Sequence, residues 1–204
     1  MGKLVLKTAA ATLSFLVAFA LILFGVISLA SPAAMMSFTA SLGMDGASAY
    51  YSVAACERSG EIADLALAVE KSYDVGHYAD AAEYGVRLLS DSAFAEYSAE
   101  RDGDTAGNAA INGSYAQYAA GLVSSAQYYT GDGAAARGTA MNGIGNTFPQ
   151  NNAVIYLATA AMGDGDTAFC KELLSDLEQL SVEDVQEREN LQDFIAVLQA
   201  FCAQ

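Results

Sequence analysis

The sequence is poor in the side chains that most catalytic and metal sites require. It has one histidine, His77, and three cysteines, Cys56, Cys170 and Cys202, with no C-x-x-C spacing. Zinc sites and redox motifs need closer sets of such residues. The chain also lacks the G-x-S-x-G, P-loop, H-E-x-x-H and dinucleotide-binding motifs. The sequence therefore predicts a protein that is not an enzyme and that holds no metal or cofactor.

Two alternatives that involve cysteine stay open. In the first, Cys56 is the nucleophile and His77 the base of a secreted or envelope thiol enzyme or hydrolase, although no third residue is marked to orient the base. In the second, Cys170 and Cys202 form a disulfide between two C-terminal helices in an oxidising compartment. Both cysteines follow a phenylalanine in the sequence, so buried thiols are the competing interpretation.

Two aspartate pairs, Asp102/Asp104 and Asp164/Asp166, are spaced like part of a calcium loop. In the second pair, however, Phe169 stands where an EF-hand needs glycine. Aspartate carboxylates also accept hydrogen bonds from the backbone N–H groups of turns and of helix N-termini. We therefore expect these four residues to be turn and helix-cap residues.

Basic residues are scarce as well. The part of the chain beyond residue 30 carries seven basic and 24 acidic residues, a net charge of −17. Such a surface repels phosphate backbones and anionic lipid headgroups. We therefore expect no nucleic-acid binding, and either a solvated outer face or a basic partner.

In contrast to this acidic part, the N-terminus contains a long hydrophobic run. The 23 residues from 8 to 30 include no charge and would extend roughly 34 Å as a helix, against about 30 Å of membrane hydrocarbon. The twelve large apolar side chains from Leu13 to Leu29 contribute about −4 to −7 kcal/mol to insertion. The sequence predicts a transmembrane helix over residues 8–30.

The charges that flank this span predict its orientation. Lys3 and Lys7 precede it, and the next basic residue is Arg58. Because positive charge resists translocation, residues 1–7 should be cytoplasmic and the rest of the chain should lie outside a cell membrane that it crosses once. The alternative is a cleaved signal peptide, since Ser28 and Ala30 form an A-x-A-like site. Both interpretations place the following domain outside the cytoplasm.

Residues 31–48 are small and almost uncharged, and they predict a juxtamembrane linker. Pro32 should end or kink the membrane helix, because it cannot donate a backbone hydrogen bond. Two placements are open for the large side chains of this segment, the membrane interface or the core of the domain. These side chains are Met35, Met36 and Phe38. Residues 49–204 then form the predicted domain.

This domain should be all-α, with no sheet. Apolar residues recur at helical spacing, as at Ile62, Leu65, Val69 and Tyr73. Breaks at Gly76, Gly103, Gly131 and Gly163 lie 27, 28 and 32 residues apart, about the length of one helix-turn-helix repeat. The pattern predicts antiparallel helical hairpins. The last helix should begin at a capping box formed by Ser181 and Asp184, ahead of an apolar face with Val182 and Val185.

The stretch from Leu65 to Asp91 resembles a tetratricopeptide repeat. The resemblance is carried by an aromatic residue before the turn, a glycine, an aromatic residue after it, a small residue where the helices approach, and a further aromatic residue: Tyr73, Gly76, Tyr78, Ala81 and Tyr84. Two later stretches resemble the same turn, with Gly131 and Ala136, and with Gly163 and Ala168. Pro149, Asn151 and Asn152 resemble a boundary between repeats.

In that family the first helix of each hairpin lines a concave groove. The resemblance therefore implies that Glu70, Tyr73, Asp74, Tyr118, Ser125, Tyr128 and Tyr129 face a partner-binding groove. The competing interpretation is that the tyrosines fill the core between helices. The implied function is a membrane-tethered scaffold that binds a protein or peptide. A purely structural protein that forms homo-oligomers through its membrane helix is a further alternative.

Overall fold

The computed structural model describes residues 2–104, 114–142 and 152–203, and across these ranges every regular element is an α-helix. The prediction of an all-α protein is therefore confirmed for the described residues. The helices are α1 (Gly2–Ala30), α2 (Pro32–Ser41), α3 (Asp45–Ser59), α4 (Ile62–Asp74), α5 (Tyr78–Ser90), α6 (Phe94–Asp104), α7 (Tyr115–Tyr129), α8 (Gly133–Met141), α9 (Asn152–Gly163), α10 (Thr167–Glu178) and α11 (Val185–Cys202).

The chain divides into two compact units, Met1–Ser59 and Gly60–Gln204. In the first unit, the segment from Ala10 to Ala30 has a mean hydropathy of 2.7 and is long and apolar enough to cross a membrane. Helix α1 ends at Ala30, and Pro32 is the first residue of α2. This confirms the predicted role of Pro32, since proline fits the first turn of a helix but not its interior.

The segment 31–48, which the sequence predicts to be a juxtamembrane linker, is largely helical. It contains all of α2 and the start of α3, and these two helices pack against each other. Met35 and Thr39 are buried on α2, and Ala49 and Ser52 are buried on α3. The hydroxyl groups of Thr39 and Ser52 donate to backbone carbonyls of their own helices, which lowers the cost of burying them.

In the second unit, three hairpins are closed by the same turn: α4 with α5, α7 with α8, and α9 with α10. A glycine with positive φ follows the first helix, at Gly76 (78°), Gly131 (87°) and Gly165 (72°). The next residue donates its backbone N–H to the carbonyl five residues earlier, over 2.8 to 3.0 Å. This is a Schellman motif, which glycine favours because it has no Cβ.

The predicted breaks at Gly103 and Gly163 lie at helix ends. Gly103 lies within the last turn of α6, which ends at Asp104. In the third turn the residue with positive φ is Gly165, while Gly163 is the last residue of α9. Glycine is permitted at a helix end as well as in a turn, so its position alone does not locate the break. Pro149 and Asn151 lie outside the described residues.

The last helix also begins later than predicted. Asp184 is the N-cap of α11, and its carboxylate accepts the Glu187 N–H at 2.9 Å. Ser181 therefore does not start the helix. Val182 is buried before it, whereas Val185 is 64% exposed. Aspartate caps a helix as well as serine does, so two candidate caps three positions apart could not be ranked from sequence.

The packing order of the helices positions the candidate site. Helix α7 packs against both α4 and α9, so the first helices of the three hairpins lie side by side. On the C-terminal side, helices α8 to α11 enclose a hydrophobic core with fully buried Leu157, Leu173, Leu177 and Leu198.

Candidate functional site: a tyrosine-lined groove

Helices α4, α7 and α9 share an open pocket of about 310 Å³. Tyr73 comes from α4, Tyr129 from α7 and Tyr156 from α9, and three further α9 residues, Ile155, Thr159 and Ala160, complete the lining. Tyr156, Thr159 and Ala160 share one face of α9, because residues three and four apart are neighbours on a helix. Two of the seven predicted groove residues therefore meet at one site.

Further tyrosines support the walls of this pocket. Tyr78 stacks on Tyr129 with ring centroids 4.2 Å apart and meets Tyr73 edge to face at 5.5 Å. On the other side Tyr118 meets Tyr156 edge to face at 5.9 Å. Contacts from Tyr97 to Tyr115 and from Tyr115 to Tyr118 continue the series. Aromatic pairs at such separations are favourable by about 0.5–1.5 kcal/mol each, so these contacts stabilise the walls of the pocket.

The predicted residue Glu70 is engaged within the protein. The hydroxyl of buried Tyr115 donates to Glu70 Oε1 at 2.6 Å, and the Arg101 guanidinium lies 4.0 Å from the same oxygen. Arg101 also lies over the Tyr115 ring, 5.1 Å from its centroid. Glu70 therefore fastens α4 to the neighbouring helices, which the sequence did not indicate because its partners are 31 and 45 residues away.

Asp74 is exposed at the end of α4 and contributes negative charge to the groove. Burial is the main cause that raises the pKa of Tyr156, and the charge of Asp74 adds to it. For Tyr118, burial and the charge of Glu70 raise the pKa more than the charge of Asp74 does. Burial also raises the pKa of Tyr129, with Tyr78 and Asp164 as further causes. These phenols stay neutral at physiological pH. They can therefore donate hydrogen bonds and offer ring faces.

Ser125 and Tyr128 do not line the pocket. Ser125 is fully buried on α7. The Tyr128 ring lies 4.8 Å from that of Phe169, and its hydroxyl donates to Asp166 at 3.4 Å. Burial, followed by the charges of Asp166 and Asp164, raises the pKa of Tyr128 to about 12.

Tyr156 and its α9 neighbours were missed by the sequence analysis. The available signal was the hairpin register, since α9 occupies the same place in the third hairpin as α4 does in the first. Tyr156 lies on the first helix of its hairpin, as Tyr73 and Tyr129 do on theirs.

The two residues of the alternative thiol enzyme, Cys56 and His77, belong to different compact units. Cys56 is 2% exposed, which closes its thiol to a substrate in this structure. His77 is exposed at the N-terminus of α5. None of the three cysteines is in a disulfide. Across the described ranges, no group of three histidine, cysteine or acidic side chains is placed to hold a metal ion.

Two of the four aspartates accept backbone N–H groups. Asp166 is the N-cap of α10 and accepts the Phe169 N–H at 3.0 Å, as predicted. Asp102 accepts the Tyr115 N–H at 2.6 Å and so joins the end of α6 to the start of α7. The Asp104 side chain lies outside the described residues.

Comparisons of the chain with protein-family models, with curated proteins and with solved structures find no match.

Proposed function

We propose that this protein is a membrane-tethered, non-enzymatic scaffold that binds a basic segment of a partner protein in the tyrosine-lined groove. The observation that carries the proposal is the pocket shared by α4, α7 and α9. A surface that combines aromatic rings and polar tips with a fixed shape is typical of protein-binding sites.

A tetratricopeptide-like arrangement is part of the proposal. It is supported by the three hairpins with identical turns and by the adjacent first helices. Ala81 is fully buried on α5, as expected where two helices approach closely. Helix α6 is an addition between the first and second hairpins, so the array departs from a regular superhelix.

The basic character of the partner follows from the charge of the groove. Asp74 and Asp164 act electrostatically on the tyrosines of the groove and of its walls, whereas the Arg101 cation, which acts on Tyr118, lies near Glu70. Tyrosine rings also attract cations through their faces, by about 0.5–1 kcal/mol at exposed sites. A segment with lysine or arginine therefore complements the groove in both charge and ring chemistry.

The tether and its orientation complete the proposal. Helix α1 would cross the cell membrane with Lys3 and Lys7 on the cytoplasmic side, which places residues 60–204 outside the cytoplasm. The positive-inside rule supports this orientation.

Site-specific photocrosslinking tests the function in the intact protein. A photoreactive phenylalanine analogue at Tyr129, which is 38% exposed in the pocket, should yield a discrete adduct. The matched control carries the analogue at Val197 of α11, which is 54% exposed and outside the pocket. Tyr73→Ala should remove the adduct from position 129, and high salt should weaken it. Equal adducts at both positions, or an adduct that survives Tyr73→Ala in a folded protein, would refute the groove.

A further inference from the structure

The α2–α3 hairpin carries large apolar side chains that stay exposed in the folded chain. Phe38 is 50% exposed, Leu42 58% and Met44 52%, and all three lie near the closed end of the hairpin. Met35 of the same helix is only 3% exposed, and α2 packs against α3. The structure thus separates the two roles that the sequence left open, with Met35 in the core and Phe38 on the outside.

Helix α2 and the turn after it are also uncharged. The first charge after Lys7 is Asp45, so α2 and the turn after it carry none. The hydroxyls of Ser37, Thr39 and Ser41 each donate to a carbonyl within α2. A helix whose side-chain donors are already bonded loses little when water is replaced by a lipid interface.

Contacts with α1 fix the position of the hairpin. The hydroxyls of Ser28 and Tyr51 lie 2.9 Å apart, and Arg58 donates to the carbonyl of Leu29. Tyr51 and Arg58 are seven residues apart on α3, about 10 Å along the helix, yet they meet neighbouring residues of α1. Helix α3 is therefore joined at two points to the end of the membrane-length helix.

The end of a membrane-spanning helix lies at the lipid interface, where tyrosine and arginine are common. We infer that the α2–α3 hairpin is an interfacial element that inserts Phe38, Leu42 and Met44 at the boundary between headgroups and acyl chains of a phospholipid bilayer. The driving force is burial of apolar area, so the insertion needs no anionic lipid. This inference requires α1 in the bilayer but is independent of the tyrosine-lined groove.

The absence of tryptophan from the chain permits a direct test. Phe38→Trp introduces a single indole at the proposed insertion site. The full chain is placed in nanodiscs of phosphatidylcholine with or without bromine on the acyl chains. Brominated lipid should quench the emission of Phe38→Trp, which should also be shifted to the blue. Replacing part of the phosphatidylcholine by phosphatidylglycerol should not strengthen the quenching.

Two further single-tryptophan variants make the result decisive. Val197→Trp, at an exposed site on α11, should not be quenched. Leu21→Trp, in the middle of the span and 67% exposed, should be quenched strongly. Quenching of Leu21→Trp with none for Phe38→Trp would overturn the inference and leave the span intact. A blue shift without quenching would show that protein covers the indole at position 38, and it would overturn the inference. Absence of quenching in all three variants would show that α1 does not span the bilayer, and it would overturn the inference as well.

Discussion

Replacing Gly85 by alanine should destabilise the protein, although the same change usually stabilises a helix. Gly85 lies in the interior of α5, which packs against α7. A Cβ at this position would lie 2.3 Å from Cγ2 and 3.2 Å from Cβ of Val123, which is fully buried. Valine has few alternative rotamers in a helix, so its side chain cannot turn away and the helices must shift.

The magnitude follows from two opposing terms. Glycine in a helix interior is less favourable than alanine by about 1 kcal/mol, and overpacking a core costs about 1–3 kcal/mol. Gly138→Ala in α8 is the matched control, because no atom lies within 4 Å of the Cβ it would add. The control should gain up to about 1 kcal/mol. The difference in unfolding free energy between the two variants isolates the cost of the clash, about 1–3 kcal/mol. Each kcal/mol corresponds to roughly 2–4 °C in Tm.

Thermal unfolding followed by circular dichroism at 222 nm measures both variants in the full chain. Gly138→Ala should melt above the wild type and Gly85→Ala below Gly138→Ala by several degrees. Adding Val123→Ala to Gly85→Ala should restore part of the loss, because the two residues are in contact and their effects are not additive. Equal melting temperatures for the two glycine variants would refute the close approach of α5 and α7.

Two further perturbations test the α7–α10 and α8–α10 contacts. The pKa of Tyr128 is raised to about 12 in the folded protein, against about 10 in the unfolded chain. The folded protein therefore binds the phenol proton more tightly. The contribution of Tyr128 to stability is therefore complete below pH 10 and is lost as the pH rises from 10 toward 12. Melting temperatures should fall in that window, and they should fall less for Tyr128→Phe. A rise in melting temperature would contradict the raised pKa of Tyr128. Arg137 bonds Asp176 at 2.9 Å and also pairs with Glu172, joining α8 to α10. Arg137→Met should cost at most about 1 kcal/mol at low salt, and the loss should shrink in 1 M NaCl, whereas a salt-independent loss would exclude an electrostatic origin.

The sequence predicted the elements of this fold better than their partners. Helical periodicity and glycine located the turns after α4 and α7, because both signals act within a few residues. The α2–α3 hairpin was missed because Thr39, Ser48 and Ser52 are polar by composition but satisfy their hydroxyls on nearby carbonyls and become buried. That outcome depends on the packing of a second helix, which local sequence does not specify.

The same limit applies to the candidate site. Tyr128 and Tyr129 were both assigned to the groove, but successive residues on a helix point about 100° apart. The structure places Tyr129 at the pocket and Tyr128 against Phe169. The role of Glu70 likewise depends on Tyr115 and Arg101, which reach it only when α6 and α7 have folded against α4.

The cysteines give a final prediction about chemical reactivity. Cys170 is fully buried, and burial, followed by the neighbouring Cys202 thiol and Asp166, raises the pKa of its thiol to about 11. Cys56 is 2% exposed, whereas Cys202 is partly exposed on the last turn of α11. Because thiolates are the reactive species, maleimide at pH 8 should modify Cys202 first and the other two only on unfolding. The measurement is mass spectrometry of the reduced protein over time. Cys202→Ser should abolish the fast modification, and a fast phase that persists in this variant would show that Cys56 or Cys170 is more accessible than the packing of α3 and α10 allows.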